Sequence, residues 1–180
     1  MIASGHIGVG YLTYAVFRRL VRWSPPGTAV LFAVIVGALL PDLVDKPLAW
    51  GLGVLPEGRS LAHSLITMTV VIAVLLPVAV RYGRTKEGVA FSLGWFSHIA
   101  ADAYTPVLAE GSTSHFLFWP LAERQIWSGG LWVPPQYAYE VNWTLLGVAF
   151  LVWLYEGAPG VAYDETVSEN TGAPPESDKR

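Results

Sequence analysis

Cysteine is missing from all 180 residues, which excludes disulfides and thiolate metal sites. Any metal would therefore be held by His, Asp and Glu, a set that favours zinc, manganese or iron. Charged residues are also scarce, at 14% of the chain against about 25% in soluble domains. The net charge of -3 comes without a large basic patch, so we expect no nucleic-acid partner. No cleavable signal peptide is evident, so a membrane-bound chain would be held by its own helices.

Long uncharged stretches take the place of charge: hydrophobic residues make up 53% of the chain, and its mean hydropathy is +0.43. These stretches predict an all-α fold, a polytopic membrane bundle of about five helices. We place the helices at residues 4–22, 28–44, 61–82, 87–107 and 141–156. We interpret the eight tryptophans as anchors at the membrane interface.

Two predicted segments between the helices are not regular. Residues 45–60 form a connecting loop, and residues 108–140 are irregular, with a short interfacial or re-entrant piece at 116–120. The whole membrane domain covers residues 1–157. The acidic residues 158–180 then form a tail that we expect to be disordered.

Positive charge in two short connections predicts the topology. One connection follows the first helix (Arg18, Arg19, Arg22), and the other follows the third helix (Arg81, Arg84, Lys86). Alternating spans put both on one side, which the positive-inside rule makes cytoplasmic. All four histidines and the intramembrane carboxylates then gather at the extracytoplasmic face of the plasma membrane: His6, Asp42, Asp45, His63, His98, Asp102 and His115.

His98 and Asp102 stand four residues apart in a predicted helix, among small and apolar neighbours. Such a pair shares one helical face and can offer a divalent cation an imidazole nitrogen and a carboxylate oxygen. An aspartate buried there is unstable unless something pairs with it. A metal ion would meet that need, and so would a simple histidine–aspartate hydrogen bond inside the bundle. The full set of imidazoles and carboxylates is of the kind that binds zinc and leaves a position for water.

Four motifs, taken in order, resemble those of the YdjM-type membrane-bound metal-dependent hydrolases. They are GALLPD at residues 37–42, GRSLAHSL at 58–65, GWFSHIAAD at 94–102 and FWP at 118–120. The early His6 fits as well, and the match covers roughly residues 1–121. That family is similar, more distantly, to the zinc-dependent bacterial phospholipase C and its related single-strand nucleases.

The resemblance implies a metal site and a reaction class. Asp42, His63, His98 and Asp102 would complete one site, and His6 could share Asp102 with a second ion, so one or two divalent ions are expected, with zinc as the first candidate. The ion would activate water to hydrolyse a phosphoester or other ester, with membrane lipid headgroups as leading substrates.

Three residues are expected to assist this reaction. Asp42 or Asp45 would take the proton of the water, and Arg59 would steady an anionic phosphate. A loop ion pair between Asp45 and Lys46 and an interfacial position for Arg59 are the alternatives. His115 lies in a loop, where it is either a further ligand or simply exposed.

Two other functions fit the same residues. One is a non-enzymatic metal-binding or metal-transporting membrane protein, although the third and fifth helices have almost no polar residues in their middle to line a path. The other is a structural membrane module in which histidine–aspartate pairs only fasten helices together. Substrate, metal identity and oligomeric state do not follow from the sequence.

Overall fold

A computed structural model describes residues 1–104, 114–121 and 137–160. The described residues form five α-helices and no β-strand, as predicted: α1 Ala3–Leu20, α2 Thr28–Lys46, α3 Leu65–Arg81, α4 Thr85–Tyr104 and α5 Ala138–Tyr155. A π-helical turn, Pro47–Gly51, continues α2, and a short 3-10 helix spans Ser114–Phe118. Most of the predicted irregular stretch and residues 161–180 of the predicted tail lie outside the described residues.

Two helix boundaries differ from the prediction in ways that affect the site. The loop predicted from residue 45 is wrong at its start, because α2 runs to Lys46 and passes directly into the turn Pro47–Gly51. The third helix starts later than predicted, at Leu65, because Ser64 caps it by accepting a hydrogen bond from the backbone N–H of Ile66 at 3.1 Å. His63 therefore lies in the loop before α3 and not in its first turn.

The two basic connections meet at the same end of the bundle, as the predicted topology requires. Lys86, before α4, donates from Nζ to the Ser24 hydroxyl at 3.1 Å, and Ser24 precedes α2. We refer to this end as the basic end. The opposite end, where the histidines lie, is the site end.

Helix α5 runs parallel to α1. Near their starts, the Asn142 Oδ1 atom accepts a hydrogen bond from the backbone N–H of Ile2 at 3.0 Å. Near their ends, Glu156 pairs with Arg18 and Arg19. Helices α1, α3 and α5 therefore lead from the site end to the basic end, and α2 and α4 lead back.

Helices α2 and α4 lie unusually close, and two glycines allow it. A Cβ atom added at Gly37 would collide with the carbonyl oxygen of Phe91, and one added at Gly94 would collide with that of Val34. Small residues of this kind let helix backbones approach in membrane proteins. The approach brings the carbonyl oxygen of Ala38 within 2.6 Å of His98 Nδ1.

Large apolar side chains cover the outside of the bundle. Helix α3 has no buried residue along its length, and α5 also directs large apolar side chains outward. Among the described residues, only the helical stretch Thr28–Gly51 is long and apolar enough to cross a membrane by length and composition, and Leu65–Arg81 is apolar but shorter. The all-helical part of the prediction is confirmed, and five membrane spans remain a prediction.

Candidate metal centre

Five side chains from four parts of the chain meet at the site end. They are His6 of α1, Asp42 of α2, His63 of the loop before α3, and His98 and Asp102 of α4. The three imidazoles are fully buried, Asp102 is 4% exposed, and the Asp42 side chain is 12% exposed. Two overlapping groups each place three ligand atoms within 4.8 Å of one another: Asp42 with His63 and His98, and His6 with His98 and Asp102.

The hydrogen bonds of His63 and His98 determine which ring nitrogen carries the proton in the neutral imidazole. His98 Nδ1 lies 2.6 Å from the carbonyl oxygen of Ala38, and His63 Nδ1 lies 2.8 Å from Asp45 Oδ2. A carbonyl and a carboxylate only accept hydrogen bonds, so each Nδ1 is the donor. We assign the tautomers from these partners. Each Nε2 then presents a lone pair to the centre of the site.

These lone pairs face each other and two carboxylate oxygens. The two Nε2 atoms are 3.1 Å apart. Asp42 Oδ1 lies 3.6 and 3.8 Å from the Nε2 atoms of His63 and His98, and Asp102 Oδ2 lies 3.7 and 3.9 Å from them. Four ligands at about 2.0–2.1 Å from a tetrahedral ion are separated by about 3.4 Å. The spacing of the two Nε2 atoms and Asp42 Oδ1 therefore fits a shared cation, and Asp102 Oδ2 lies close to the same two nitrogens.

Several buried polar atoms at the site end lack a hydrogen-bond partner within the described part of the chain. They are both ring nitrogens of His6, Asp42 Oδ1 and the Ser4 hydroxyl oxygen. A buried polar atom left without a partner costs about 1–3 kcal/mol. The His6 ring stacks on His98 with centroids 3.6 Å apart, and His6 Nε2 lies 3.4 Å from Asp102 Oδ1. Residues of this type, with these unused lone pairs, fit a bound metal ion.

His98 belongs to both groups of candidate ligands, which limits how many ions they can hold. Its Nδ1 is engaged by the Ala38 carbonyl, so only Nε2 is available. One ring nitrogen binds one ion, and both groups cannot use His98 at once. A second ion held by His6 and Asp102, as the sequence predicts, would have to bind without His98.

The carboxylates around His63 favour positive charge at its ring. Burial alone would lower the pKa of His63, but the neighbouring carboxylates of Asp42, Asp45 and Asp102 outweigh burial and the pKa is raised. The same carboxylates would also attract a metal cation placed among these atoms. A metal ion and a proton therefore compete for the same Nε2 lone pair.

Asp45 holds the loop that carries His63. It is fully buried, and its Oδ2 accepts from the backbone N–H groups of Ser60 at 2.8 Å and His63 at 3.2 Å. Its Oδ1 accepts from the backbone N–H of Ala62 at 2.8 Å. Together with the bond to His63 Nδ1, these contacts use both oxygens. The placement favours a role in orienting His63 over the proton-accepting role expected from the sequence.

The alternative expected for Asp45, a loop ion pair with Lys46, is wrong. Lys46 instead donates from Nζ to Asp42 Oδ2 at 2.5 Å. The reason is that α2 continues through these residues, so Lys46 lies one turn beyond Asp42 at the i,i+4 spacing. A helical reading of residues 42–46 would have predicted this pair.

Arg59 lies at the rim of the site with its side chain 29% exposed. Its Nε donates to Asp102 Oδ2 at 2.8 Å, and the amino group of Met1 donates to Asp102 Oδ1 at 2.7 Å. The carboxylate predicted to bind a metal is thus surrounded by positive groups. One bond uses one of the five N–H donors of the guanidinium, which leaves Arg59 able to contact an anion as well.

Trp95 is a site residue whose role the sequence interpretation missed. It is only 2% exposed, and its Nε1 donates to the carbonyl oxygen of Ala62 at 2.7 Å. It therefore fixes the His63 loop against α4 and is not an interface anchor. Its place three residues before His98 was the available signal. The side chain of His115 lies outside the described residues, so its predicted participation stays a prediction.

No curated protein and no solved structure matches the chain. A family model described as YdjM inner membrane protein matches residues 1–163. The match extends over all five helices and includes each of the converging side chains. The chain therefore belongs to the YdjM inner membrane protein family.

Proposed function

We propose that this chain is an integral membrane metal-dependent hydrolase that acts on a phosphoester or other ester, with lipid headgroups as the leading substrates. The observation that supports it best is the meeting of acceptor atoms at the site end. Two imidazole Nε2 atoms lie 3.1 Å apart, and a carboxylate oxygen of Asp42 and one of Asp102 each lie 3.6 to 3.9 Å from both of them. Family membership supports the membrane location.

Asp42, His63, His98 and Asp102 would hold the ion, with zinc as the first candidate. When bound, such an ion supplies a Lewis acid that lowers the pKa of a coordinated water toward about 7. Asp45 keeps the His63 ring in the orientation that directs Nε2 inward. Of the two carboxylates expected to accept a proton, Asp42 is partly exposed and Asp45 is fully enclosed, so we assign proton acceptance to Asp42. Arg59 would stabilise negative charge on the phosphoryl group.

The proposed arrangement in the membrane has five spans with the site at the extracytoplasmic face. Exposed valines of α3 (Val70, Val74, Val78) and exposed aromatics of α2 and α5 (Phe32, Phe150) are suited to lipid. The 17 residues of α3 extend about 26 Å, close to the hydrocarbon thickness of a bilayer. The arginines at the basic end favour a cytoplasmic position for that end.

Elemental analysis of the purified chain beside phosphodiesterase assays tests this proposal. We expect metal in the wild type, and loss of most metal and activity in His98→Ala. Ser97→Ala is the matched control, because Ser97 is the buried neighbour of His98 on α4 and, within the described residues, its hydroxyl bonds only to its own helix, at the Gly94 carbonyl. Equal metal content in the wild type and His98→Ala would refute the site.

A second candidate, a metal-binding protein without catalysis, is favoured by how enclosed the ligands are. His6, His63 and His98 are all fully buried, and structural metal sites are typically closed whereas catalytic sites keep an open position. Metal bound at His98 without hydrolysis of any phosphoester tested would support this second function over the first.

A further inference from the structure

A pocket of about 370 Å³ opens beside the candidate metal centre, lined by two cationic side chains (Lys46, Arg59), one carboxylate (Glu57), Trp50 and Gly58. Its volume lies in the range of about 300–1,000 Å³ that is usual for small-ligand sites. The proposed reaction uses Arg59 but assigns nothing to Lys46 or Trp50. The proposed reaction therefore does not account for this pocket.

Two cationic side chains connect this pocket to the metal centre. Lys46 Nζ lies 2.5 Å from Asp42 Oδ2, and Arg59 Nε lies 2.8 Å from Asp102 Oδ2. The contact of Lys46 uses one of the three N–H donors of its ammonium group, and the contact of Arg59 uses one of the five of its guanidinium. Their side chains are 35% and 29% exposed, so the remaining donors can reach a ligand.

Lys46 approaches Asp42 from the side away from the imidazoles. Asp42 Oδ2 accepts a hydrogen bond from Lys46 Nζ, whereas Oδ1 faces the Nε2 atoms of His63 and His98. A group held by Lys46 would therefore lie next to the metal centre without displacing a candidate ligand atom. A charged group bound in this pocket would lie beside the metal centre.

Trp50 forms an exposed wall of the pocket. Its side chain is 73% exposed, and Lys46 Nζ lies 6.0 Å from the ring centroid. Gly58 packs against it so closely that an added Cβ would lie 2.8 Å from Trp50 Cζ2. Leu52 and Val54, which follow in the same connection, are 71% and 68% exposed. Exposed apolar side chains and tryptophan beside cations are typical of a surface that meets a lipid interface.

We propose that this pocket binds the phosphate of an anionic phosphoester between Lys46 and Arg59, with Trp50 as its wall, and that a lipid headgroup supplies that phosphate. Arg59 suits bidentate contact with phosphate oxygens, and Lys46 adds a point charge. The inference deepens the proposed function by naming the substrate group. It rests on that function only for what happens to the ester after binding.

The test uses calorimetric titration of the full chain in dodecyl maltoside micelles. One arm adds inorganic phosphate, and the other adds phosphatidic acid in the same detergent, with metal content measured for every variant. Lys46→Met is expected to weaken binding in both arms about tenfold, the loss of one charge-assisted hydrogen bond. Lys46→Arg should retain most of the affinity. Lys86→Met at the basic end, the same substitution in another lysine, should change nothing.

Trp50→Ala provides a second variant, since it removes an exposed side chain and should fold normally. It is expected to weaken phosphate binding about threefold, because the ring that lies 6.0 Å from Lys46 Nζ is removed. Absence of binding in the wild type, equal affinity in Lys46→Met, or equal losses in Lys46→Met and Lys86→Met would each overturn the pocket. An affinity that falls only in step with metal content would overturn it as well.

The outcomes separate this pocket from the proposed function. A wild-type chain without metal would remove the hydrolase, while the comparison of Lys46→Met with Lys86→Met would still decide the pocket. Tighter binding of phosphatidic acid than of inorganic phosphate supports a lipid headgroup. The reverse order would assign the pocket to a soluble phosphate and overturn the lipid part of the proposal.

Discussion

The basic end and the site end of the bundle both bury carboxylates, but they surround them with different partners. At the basic end, Glu156 accepts from Arg18 at 2.5 Å, Arg19 at 2.6 Å and the Tyr11 hydroxyl at 2.8 Å. The Glu156 side chain is 4% exposed, so it is as enclosed as the site carboxylates. Donors meet an acceptor there, although the Nε of Arg18 has no hydrogen-bond partner within the described residues.

At the site end, acceptors also meet acceptors. The Nε2 atoms of His63 and His98 lie 3.1 Å apart, and both Nδ1 atoms are already engaged by other partners. Asp42 directs one oxygen at Lys46 and leaves the other without a hydrogen-bond partner in the described part of the chain. The contrast separates a charged cluster that fastens helices from one arranged to receive a cation.

Chelation should distinguish the two ends most strongly. An ion present at 1,000 times its Kd stabilises the folded state by about 4 kcal/mol, so EDTA should lower the thermal unfolding temperature of the wild type clearly. Melting curves of His98→Ala should be insensitive to EDTA, since that variant has already lost the ion. If the wild type keeps its full thermal stability in EDTA, the histidine–aspartate cluster only fastens helices and the contrast disappears.

Asp45→Asn should weaken metal binding at the site end by about 10- to 100-fold, the usual effect of losing a group that orients a metal-bound histidine. An amide cannot accept from both His63 Nδ1 and three backbone N–H groups with two equivalent oxygens. Competition with a chromophoric chelator measures the affinity. Ser60→Ala is the control, because its backbone bond to Asp45 remains; an Asp45→Asn affinity equal to the wild type would show that His63 needs no such support.

Glu156→Ala should destabilise the chain by about 2 kcal/mol, because Arg18, 8% exposed, loses the carboxylate it pairs with. Metal content should not change. Arg84→Ala, which breaks the exposed Arg84–Glu87 pair at the same end, should shift stability by about 0.5 kcal/mol or less. Denaturation of both variants beside elemental analysis checks this; metal loss in Glu156→Ala would mean that the two ends are not independent.

Most of the helices were predictable because uncharged stretches of helical length leave little alternative. The end of α2 was not predictable, because proline and glycine at 47 and 51 are typical of a loop. Proline also fits the first turn of a helix, however, and the chain stays helical through Gly51. That error hid the pairing of Lys46 with Asp42. Because the prediction ended α2 too early, it also missed this i,i+4 ion pair, which forms only if residues 42–46 are helical.

The meeting of His6, Asp42, His63 and His98 could also be predicted, because basic connections imply which helix ends share a side. The role of Asp45 could not. Its partners are backbone N–H groups 15 to 18 residues away, and their direction depends on how the loop before α3 folds back on α2. Nothing in the local pattern distinguishes this aspartate from Asp42.

By itself, the amino-acid sequence determined the chemistry of the donor set: without cysteine, only imidazoles and carboxylates remained to bind a metal. The tertiary structure alone decided where their lone pairs point. The Ala38 carbonyl that engages His98 comes from 60 residues away, and it reaches the ring because Gly37 and Gly94 let two helices touch. The hydrogen-bond partner of one imidazole nitrogen determines that the other nitrogen carries the free lone pair. Packing between distant segments of the chain supplies that partner.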